Sequence, residues 1–440
     1  MKKMNCLLRL PSILLLAMTI SLAPSLRTSA VAGEYDFDLA EFENKPFEWG
    51  GYLQMSYDHM ALNQDGLLYR LNFLNQPNSD INRLTAGIEI NGLYTKGIAS
   101  LNWLLYSEAE QDELGWRDSV DVYEAAVSLN ISPSFTVDIG KKVNKWGKGY
   151  AWNPVGFIAR PKDPSNPEDA LEGFVGLNLD MVKSFQGALR TVALTSVVLP
   201  VWKGVNEEFG QTDNVNLAAK LYLLYRDTDI DLLVYTGNSR SNRFGIDFSR
   251  NISSNFEVHG EFAYIPSLEQ KYLDPDGVVL ARTLSANSWL LGLRYLSSTD
   301  ITSIIELYHN DAGASQEEME GFLQLVSEAT AAFPDSFNHD LISKVTSLSR
   351  IYASPQPGRN YLYARISQKE PFDLLYLTPG ITLIHNLDDS SSTISPELLY
   401  NGFTNWEMRL RLSSHIGSSL TENGEKQNSS KADLRLRYFF

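Results

Sequence analysis

The chain ends on a segment, Lys431 to Phe440, whose side chains alternate between two kinds. Side chains of a β-strand point to opposite faces with period two. One face of this segment holds Ala432, Leu434, Leu436, Tyr438 and Phe440, and the other holds Asp433, Arg435, Arg437 and Phe439. A soluble β-sandwich can use such a strand, but it rarely places one at the extreme end of the chain with two aromatic residues. The segment predicts a strand with one apolar and one charged face.

The first 32 residues have the pattern of an export signal. Three basic residues precede the apolar stretch Ile13–Ile20, and Ala30–Ala32 offers a cleavage site of small residues. We therefore predict a cleaved signal peptide at residues 1–32 and a mature protein at 33–440. The only cysteine, Cys6, lies in the signal, so the mature chain has no thiol for a disulfide or a thiolate metal site. We predict no metal and no cofactor.

The charge balance and the hydropathy pattern exclude two classes of protein. Four of the 37 Lys and Arg residues lie in the signal, so the mature chain has 33 of them against 53 Asp and Glu, a formal charge of −20. Such an acidic chain is not expected to bind nucleic acid. After the signal no apolar run reaches the roughly 18 residues that a membrane helix needs. No linker or change of composition divides residues 33–440, which indicates a single domain.

About 18 segments of the mature chain alternate with period two and are predicted strands. They are residues 50–58, 82–95, 97–107, 119–130, 134–143, 173–183, 187–199, 214–226, 228–237, 241–250, 254–264, 286–297, 299–309, 359–368, 372–386, 392–401, 404–415 and 431–440. Short turns alternate with longer connections, for which we predict loops at 59–81, 108–118, 144–172, 200–213, 265–285 and 310–358. Transmembrane barrels have short periplasmic turns and long extracellular loops, whereas a soluble sandwich has no reason to sort its loops by side.

Two parts of the chain resemble known proteins. The terminal strand resembles the closing strand of Gram-negative outer-membrane β-barrels. The segment Gly140–Gly173, with Trp146-Gly147, Asn153-Pro154 and Arg160-Pro161, resembles a segment of poorly characterised proteobacterial outer-membrane barrels, including porin-like ones. The resemblance implies an all-β fold, a single antiparallel up-and-down barrel of about 18 strands (16–18) in the outer membrane.

The same resemblance implies partners for the barrel. In such proteins the terminal aromatic belongs to an assembly signal, here Tyr438 and Phe440, that is read by the barrel assembly machinery. Outer-membrane lipid, lipopolysaccharide and small polar solutes are the other expected partners, and a homotrimer is left open.

The strand pattern assigns faces to the predicted barrel. The outward residues are expected to be Leu84/Ala86/Ile88/Ile90, Phe135/Val137/Ile139, Phe244/Ile246/Phe248, Trp289/Leu291/Leu293/Tyr295 and Trp406/Met408/Leu410/Leu412. These positions are apolar, with aromatic residues near the ends of the strands, as in a lipid-facing band. The core of a sandwich is the alternative.

The inward positions carry charges of both signs. An acidic wall is expected from Asp229, Asp231, Asp247, Glu257 and Glu261, and a basic wall from Arg83, Arg409, Arg411, Arg435 and Arg437. In an 18-stranded ring, the ninth to eleventh strands lie opposite the closure, so the two walls would face each other. If neither wall is neutralised by its neighbours, they set up a transverse field that selects polar solutes. The alternative is a set of ladders that only satisfy cross-strand partners.

The loop that follows the fifth strand combines basic and aromatic residues. Its prolines and glycines prevent a regular helix or strand. The candidates for a constriction are Lys142, Lys145, Trp146, Lys148, Tyr150, Trp152 and Arg160, with Lys162 nearby. Such residues suit anionic or sugar-like solutes. The alternative is a structural fold-back whose lysines meet the lipopolysaccharide surface.

The connection between residues 310 and 359 predicts two short helices. Met319, Phe322, Leu323, Val326 and Phe333 recur at helical spacing, and Glu317, Glu318 and Glu320 fall in the first turn. A second helix is expected at about 338–347. The pair is interpreted either as a partial plug in the mouth or as a lid without a role in transport.

The predicted function is a porin-like channel for passive passage of small polar or ionic solutes. The six histidines are scattered, and no catalytic motif is present, so we predict no enzymatic activity. Some outer-membrane barrels, such as the outer-membrane phospholipases, are enzymes, so an enzymatic barrel is an alternative. Two alternatives remain: a substrate-specific exporter or importer of an anionic saccharide or a hydrophobic compound, and a structural or surface-interaction barrel with a closed lumen.

Overall fold

The structure is a computed structural model that describes residues 46–73, 78–274, 278–331, 339–352 and 354–440. The predicted signal peptide and residues 33–45 lie outside the described residues. The described chain forms one compact unit beginning at Pro46.

Eighteen antiparallel strands form one sheet, as the sequence predicts. They are β1 (Phe47–Leu62), β2 (Asp80–Lys96), β3 (Ala99–Asp112), β4 (Gly115–Ser132), β5 (Phe135–Lys142), β6 (Phe174–Ser184), β7 (Leu189–Val201), β8 (Asn214–Tyr225), β9 (Thr228–Thr236), β10 (Arg243–Ser253), β11 (Phe256–Leu273), β12 (Val279–Leu296), β13 (Ile301–Asn310), β14 (Asn360–Gln368), β15 (Leu377–Asn386), β16 (Ser392–Tyr400), β17 (Trp406–Ile416) and β18 (Asn428–Phe439). Each strand pairs with the next along the chain, and β1 also pairs with β18. The sheet is therefore a closed barrel without a free edge.

The predicted faces are confirmed by the exposure of neighbouring residues. Leu291 is 55% exposed while Leu290 beside it is fully buried, and Phe248 is 38% exposed while Asp247 is fully buried. Period-two alternation of apolar and polar residues thus fixes the register. The outer surface is apolar, and the charged positions point into the lumen.

The connections at the two ends of the barrel differ in length, as predicted. At one end the turns 97–98, 133–134, 226–227 and 254–255 have two residues each. At the other end lie the long connections 63–79, 143–173 and 311–359. We call these the short-turn end and the long-loop end.

Two predicted loops, 108–118 and 265–285, are instead mostly strand. β3 and β4 are joined only by residues 113–114, and β11 and β12 only by 274–278. A cross-strand charge pair holds the extension of β3 and β4, since Arg117 Nη2 lies 3.0 Å from Glu110 Oε2. That extension is polar, so the loss of apolar alternation hid it in the sequence. The extension of β11 and β12 also carries apolar residues, among them Leu268, Leu273 and Leu284. The predicted fifteenth strand is also shorter, because residues 371–373 form a 3-10 turn before β15.

Three helices lie at the long-loop end: α1 (Leu67–Asn72), α2 (Gln316–Ala331) and α3 (His339–Tyr352). Ser315 and Glu318 form a capping box, in which the Glu318 amide donates to Ser315 Oγ at 3.2 Å and the Ser315 amide donates to Glu318 Oε2 at 3.0 Å. Phe322 of α2 stacks on Tyr352 of α3 at 5.0 Å between ring centroids. Both predicted helices are confirmed, whereas α1 was not predicted.

The helical cluster packs against the end of the extended β11–β12 hairpin. Leu273 of β11 is buried in the same apolar cluster as α1, α2 and α3. Phe333, predicted to lie on the apolar face of the first helix, is outside the described residues.

Candidate functional site

The connection between β5 and β6, residues 143–173, crosses the inside of the barrel, and we call it the inner loop. Its first half contacts β9 to β14, where Glu261 of β11 accepts hydrogen bonds from its amides. Its second half contacts β17 and β18, where Asn166 Oδ1 accepts a hydrogen bond from Arg409 at 3.2 Å. Because β11 and β18 are seven strands apart in the ring, the loop spans the lumen.

Lys148 fastens the inner loop to the predicted acidic wall. Its Nζ lies 2.9 Å from Asp231 and 3.8 Å from Asp247. The two aspartates are direct register partners on β9 and β10, and both are almost completely buried. Two adjacent buried carboxylates repel each other, so the ammonium between them is needed to stabilise the pair. The expectation that this wall has no neighbouring opposite charge is wrong.

Two buried carboxylates hold the backbone of the inner loop. Glu261 accepts from the amides of Lys148, Gly149 and Val155 at 2.5, 2.6 and 3.2 Å. Glu306 of β13, which the sequence did not single out, accepts from the Ala151 amide at 2.9 Å and lies 2.9 Å from His259 Nε2.

The glycines of the Trp-Gly-Lys-Gly segment are explained by this close approach. Gly147 has φ +97°, and a Cβ there would lie 2.7 Å from the Glu261 carboxylate. A Cβ on Gly149 would lie 2.1 Å from the Trp152 carbonyl oxygen. A larger residue at either position would push the loop off β11.

The two tryptophans of the inner loop pack against the barrel wall. They were predicted to face the lumen, and that prediction is wrong. Trp146 is 2% exposed and belongs to a cluster with Phe157, Phe174 and Tyr235. Trp152 stacks on Tyr308 with 4.9 Å between ring centroids. Apolar burial under the loop therefore outweighs any contact with a solute at these two positions.

Tyr150 and Lys162 hold the loop from within. The Tyr150 hydroxyl donates to Glu168 at 2.6 Å, within the loop itself. Lys162 Nζ donates to the carbonyl oxygens of Gly149 and Tyr150 at 2.6 and 3.1 Å, and burial lowers the pKa of this amine.

The remaining predicted residues make local contacts. Asp229 accepts a hydrogen bond from Tyr222, and Glu257 accepts one from Ser249 at 2.9 Å. On the basic side, Arg83 lies 3.5 Å from Asp112. These three charges satisfy cross-strand neighbours, which was the alternative interpretation of the walls.

Three further basic candidates, Lys142 at the end of β5 and Lys145 and Arg160 in the inner loop, differ in their surroundings. Lys142 pairs with Asp138, and Arg160 Nη2 lies 2.8 Å from Glu208. Lys145 is exposed and lines a cavity.

Four of the five residues predicted for the basic wall lie on the neighbouring strands β17 and β18. Together with Arg365 they form what we call the arginine ladder, which also has carboxylate neighbours. Its members are Arg365 of β14, Arg409 and Arg411 of β17, and Arg435 and Arg437 of β18. Arg409 lies 2.8 Å from Asp433, Arg411 pairs with Glu397, and Arg435 lies 3.1 Å from Glu407. Arg365 lies 2.9 Å from Glu397 and was not predicted, because it stands on β14, three strands from β17, and is the only arginine within that strand.

A cavity of about 370 Å³ lies between the arginine ladder, the inner loop and the inner face of β1 to β4. Arg409, Arg435 and Arg437 line it on one side. Glu89, Glu108, Glu110 and Asp121 of β2 to β4 line it as well, together with Tyr52, Tyr106 and Tyr123. Asp58 of β1, Asp433 of β18 and Asp169 of the inner loop also line it, whereas the predicted acidic residues of β9 to β11 are not among its lining residues. The alternation of Glu108 and Glu110 in β3 was visible in the sequence and would have revealed those two carboxylates.

Two further cavities continue along the same side of the barrel. One of about 400 Å³ shares Asp169 and Ala170 with the first cavity. Another of about 440 Å³ shares Leu104 and Glu124 with the second and reaches Trp49. From the first to the third cavity the β3 lining moves from Glu110 to Asn102, toward the short-turn end.

Two other kinds of feature are absent from the described part of the chain. No group of three or more His, Cys, Asp or Glu residues there has an arrangement that could hold a metal ion. Nor does any helix of the described ranges have the length and apolarity to span a membrane.

The closed 18-stranded barrel, with its apolar outer surface and the loop folded across its lumen, has the fold of the porin-type β-barrels. Solved structures of outer-membrane proteins share the fold. They include OprD of Pseudomonas aeruginosa, at 13% identity over 90% of this chain and 96% of that chain, with a TM-score of 0.50. OccAB1 of Acinetobacter baumannii matches at 12% identity, 90% and 96% coverage and a TM-score of 0.50. OccK2 of P. aeruginosa, solved in complex with glucuronate, has 12% sequence identity over 90% of this chain and 98% of that chain, with a TM-score of 0.51.

The likeness to these structures concerns the fold. No protein-family model matches the chain, and no curated protein matches it either. The predicted antiparallel barrel of 18 strands is confirmed.

Proposed function

We propose that this protein is an outer-membrane channel through which small polar or ionic solutes diffuse. The observation that carries the proposal is the cavity between the arginine ladder and the carboxylates of β2 to β4. Charges of opposite sign on the two sides of one aqueous space order water and favour polar solutes over apolar ones. The acidic residues of this cavity differ from the predicted acidic wall, and the arginines have carboxylate neighbours of their own, so the proposal does not depend on a field between two uncompensated walls.

The proposed path follows the β1 to β4 side of the inner loop. Three cavities share residues in sequence along this side, first at Asp169 and Ala170 and then at Leu104 and Glu124. On the other side, the loop is packed against β9 to β14 through Trp146 and its neighbours. Solute passage therefore needs no displacement of the anchored half of the loop.

Conductance of the purified, folded barrel in a planar bilayer tests the proposal. The expected result is a stable open channel in KCl, whose conductance rises when residues 166–170 are replaced by two glycines, because these residues narrow the path. The matched control replaces residues 418–419 of the β17–β18 loop by two glycines and is expected to conduct like the original protein. Absence of channels from heat-modifiable, folded protein would overturn the proposal.

A barrel with a closed lumen is the second candidate, and one observation favours it. The inner loop buries Trp146, Phe157 and Trp152 against the wall and so fills part of the lumen. The same bilayer experiment decides between the two, since a closed barrel gives no current. Substrate-specific transport of an anionic compound is a narrower form of the first proposal.

Several partner predictions belong to the proposal as well. Tyr438 and Phe440 are proposed to act as the assembly signal read by the barrel assembly machinery, and the loops at the long-loop end are proposed to contact lipopolysaccharide. The protein is proposed to have no enzymatic activity. Its oligomeric state, with a homotrimer as one option left open, is testable by analytical ultracentrifugation in detergent.

A further inference from the structure

The turn between β14 and β15 carries an exposed apolar surface at the short-turn end. It has eight residues, 369–376, whereas the other turns at this end have two to five. Four of its side chains are large, apolar and exposed: Phe372, at 95%, and Leu374, Leu375 and Tyr376. Each of the other turns at this end exposes at most one large apolar side chain. The apolar surface is therefore specific to this sector of the barrel.

Hydrogen bonds hold the β14–β15 turn in a fixed shape. Within the turn, the Tyr376 amide donates to Glu370 Oε1 at 3.0 Å. On one side, the Lys369 amide donates to the carbonyl oxygen of Asp300 in the β12–β13 turn, at 3.2 Å. On the other side, the amide of Asn401 in the β16–β17 turn donates to the Tyr376 carbonyl oxygen at 3.1 Å. Both neighbouring turns thus brace the surface.

The backbone of the turn is costly to form. Glu370, Phe372, Asp373 and Tyr376 have φ of +51°, +56°, +60° and +66°. This left-handed region is unfavourable for residues with a Cβ atom, and most of all for bulky ones. A conformation that costs free energy and also turns apolar side chains toward water is not explained by folding alone. Such strain is kept where the conformation serves a contact.

The outer face of the barrel indicates which contact this is. Along β15 and β16 the outward positions stay apolar up to the turn. The register pairs are Ile381–Pro396, Pro379–Leu398 and Leu377–Tyr400. Ile381 and Leu398 are exposed, as expected of the lipid-facing band. The apolar surface of the turn is thus continuous with the surface that faces lipid, and no polar position on these two strands separates them.

We propose that the β14–β15 turn lies in the periplasmic leaflet of the outer membrane, at the boundary between head groups and acyl chains, and anchors this sector of the barrel there. Phe372 and Leu375 reach the acyl chains, while Lys369 and Asp373 stay among the head groups. Tyr376 suits the same boundary, since it has an apolar ring and a polar hydroxyl. The contact comes from a turn beyond the last strand pair, in contrast to aromatic residues on the strands themselves. This inference rests on the proposed place of the barrel in the outer membrane and not on conduction.

Site-directed spin labelling of the folded barrel in vesicles of phosphatidylethanolamine and phosphatidylglycerol tests the anchor. In a chain with Cys6→Ser, a nitroxide is attached at Phe372→Cys or at Leu375→Cys. Collisions of the nitroxide with oxygen, which concentrates in lipid, are compared with its collisions with a water-soluble nickel chelate. Both labels are expected to lie about 5–10 Å into the boundary region, with oxygen collisions prevailing. Ser254→Cys, in the β10–β11 turn at the same end, is the matched control for water, and Leu291→Cys is the reference for lipid.

A second set of variants shows whether the apolar surface itself places the label in lipid. Leu374→Ser together with Leu375→Ser is expected to lower the ratio of oxygen to nickel collisions severalfold at the label on residue 372. Ile98→Ser removes the exposed apolar side chain of the β2–β3 turn at the same end and is expected to leave that ratio unchanged. The comparison separates burial of this turn from any tendency of the nitroxide itself to enter lipid.

Three outcomes overturn the anchor. They are prevailing nickel collisions at residues 372 and 375, a ratio equal to that of Ser254→Cys, and a ratio that does not respond to Leu374→Ser with Leu375→Ser. The first outcome would leave a soluble partner as the occupant of the surface. A conducting barrel whose turn lies in water overturns the anchor alone. A barrel that gives no current while its turn lies in lipid overturns the channel alone.

Discussion

Lys148 Nζ of the inner loop lies 2.9 Å from the Asp231 carboxylate of β9. This contact joins the loop to the barrel wall at a place where Asp247 supplies a second negative charge. Because both aspartates are buried, the contact neutralises charge that the barrel would otherwise hold uncompensated.

Replacing Lys148 by Met is therefore expected to destabilise the barrel by about 3–5 kcal/mol, the cost of breaking a buried pair by removing one partner. Urea unfolding in lipid vesicles measures the loss. Lys145→Met, which removes an exposed lysine of the same loop, is the control and is expected to change stability by less than about 0.5 kcal/mol. Adding Asp231→Asn and Asp247→Asn to Lys148→Met is expected to restore much of the stability, and failure to do so would contradict the charge explanation.

The seam of the barrel is expected to depend on Phe440. Its amide donates to the Gly51 carbonyl oxygen at 3.1 Å, and its ring lies 5.8 Å from the ring of Trp49. Phe440→Asp places a charge at the junction of β18 and β1 and should lower the yield of heat-modifiable barrel in outer membranes. Phe403→Asp, at an exposed aromatic of the β16–β17 turn, is the control. Equal yields of the two variants would count against a role of Phe440 in assembly.

The depth of the lipid-facing band is testable at Leu291. This residue is 55% exposed on the outer face of β12. Leu291→Arg is expected to cost about 2–4 kcal/mol near the bilayer midplane, because the charge would face hydrocarbon. Arg294→Leu, on the inner face of the same strand, should mainly change conductance. A harmless Leu291→Arg, measured by urea unfolding in vesicles, would contradict the assignment of this surface to lipid.

Ion selectivity is expected to follow the charges around the cavity of about 370 Å³. Neutralising Glu89, Glu108 and Asp121 together should shift the reversal potential toward anions. Replacing Arg409, Arg435 and Arg437 by Gln should shift it toward cations. Both shifts should shrink in 1 M salt, where the Debye length falls to about 3 Å. Unchanged reversal potentials in both variants would place the narrow part of the path elsewhere.

The same reasoning changes the expectation for the acidic residues of β9 to β11. Neutralising Asp231, Asp247 and Glu261 removes groups that bind Lys148 and the loop amides. We expect this triple variant to release the inner loop and lower stability, with altered conductance as a secondary effect.

Glu422, in the loop between β17 and β18, is expected to make stability depend on pH. It is buried and accepts hydrogen bonds from Tyr361 at 2.6 Å and Asn386 at 2.8 Å, and burial raises the pKa of its carboxyl group above the ordinary 4.5. Between 4.5 and the raised pKa the folded state binds more protons than the unfolded state, so stability falls as pH rises through this window. Glu422→Gln should flatten this slope, whereas the exposed Glu328→Gln should keep it. Urea unfolding across pH checks the result.

The strands were predictable because one physical rule governs them all. Alternation in β12, with Leu291 outside and Arg294 inside, follows from the pleat, and it is visible without knowledge of any distant residue. The rule fails where both faces are polar, as in the extensions of β3 and β4 around Glu110 and Arg117. There the pairing is held by charges, and hydrophobic alternation gives no signal.

The sequence predicts that the inner loop is irregular and rich in aromatic residues, but it does not predict where the loop lies in the barrel. Its glycines, prolines and tryptophans indicate an irregular, aromatic segment, but the partners that fix it, Glu261 and Glu306, lie more than a hundred residues away along the chain. Nothing in the local pattern distinguishes a tryptophan that faces the lumen from one that packs under the loop. For that reason Trp146 and Trp152 were placed wrongly.

The unequal attachment of the inner loop has a consequence for how such a barrel evolves. Mutations at Gly147 or Gly149 collide with the wall or with the loop's own backbone and would be removed by selection on folding. Mutations at Asp169 and its exposed neighbours meet no such penalty. The residues that line the cavities at one end of the loop can therefore change by a few substitutions, while the barrel and the anchored end of the loop stay unaltered.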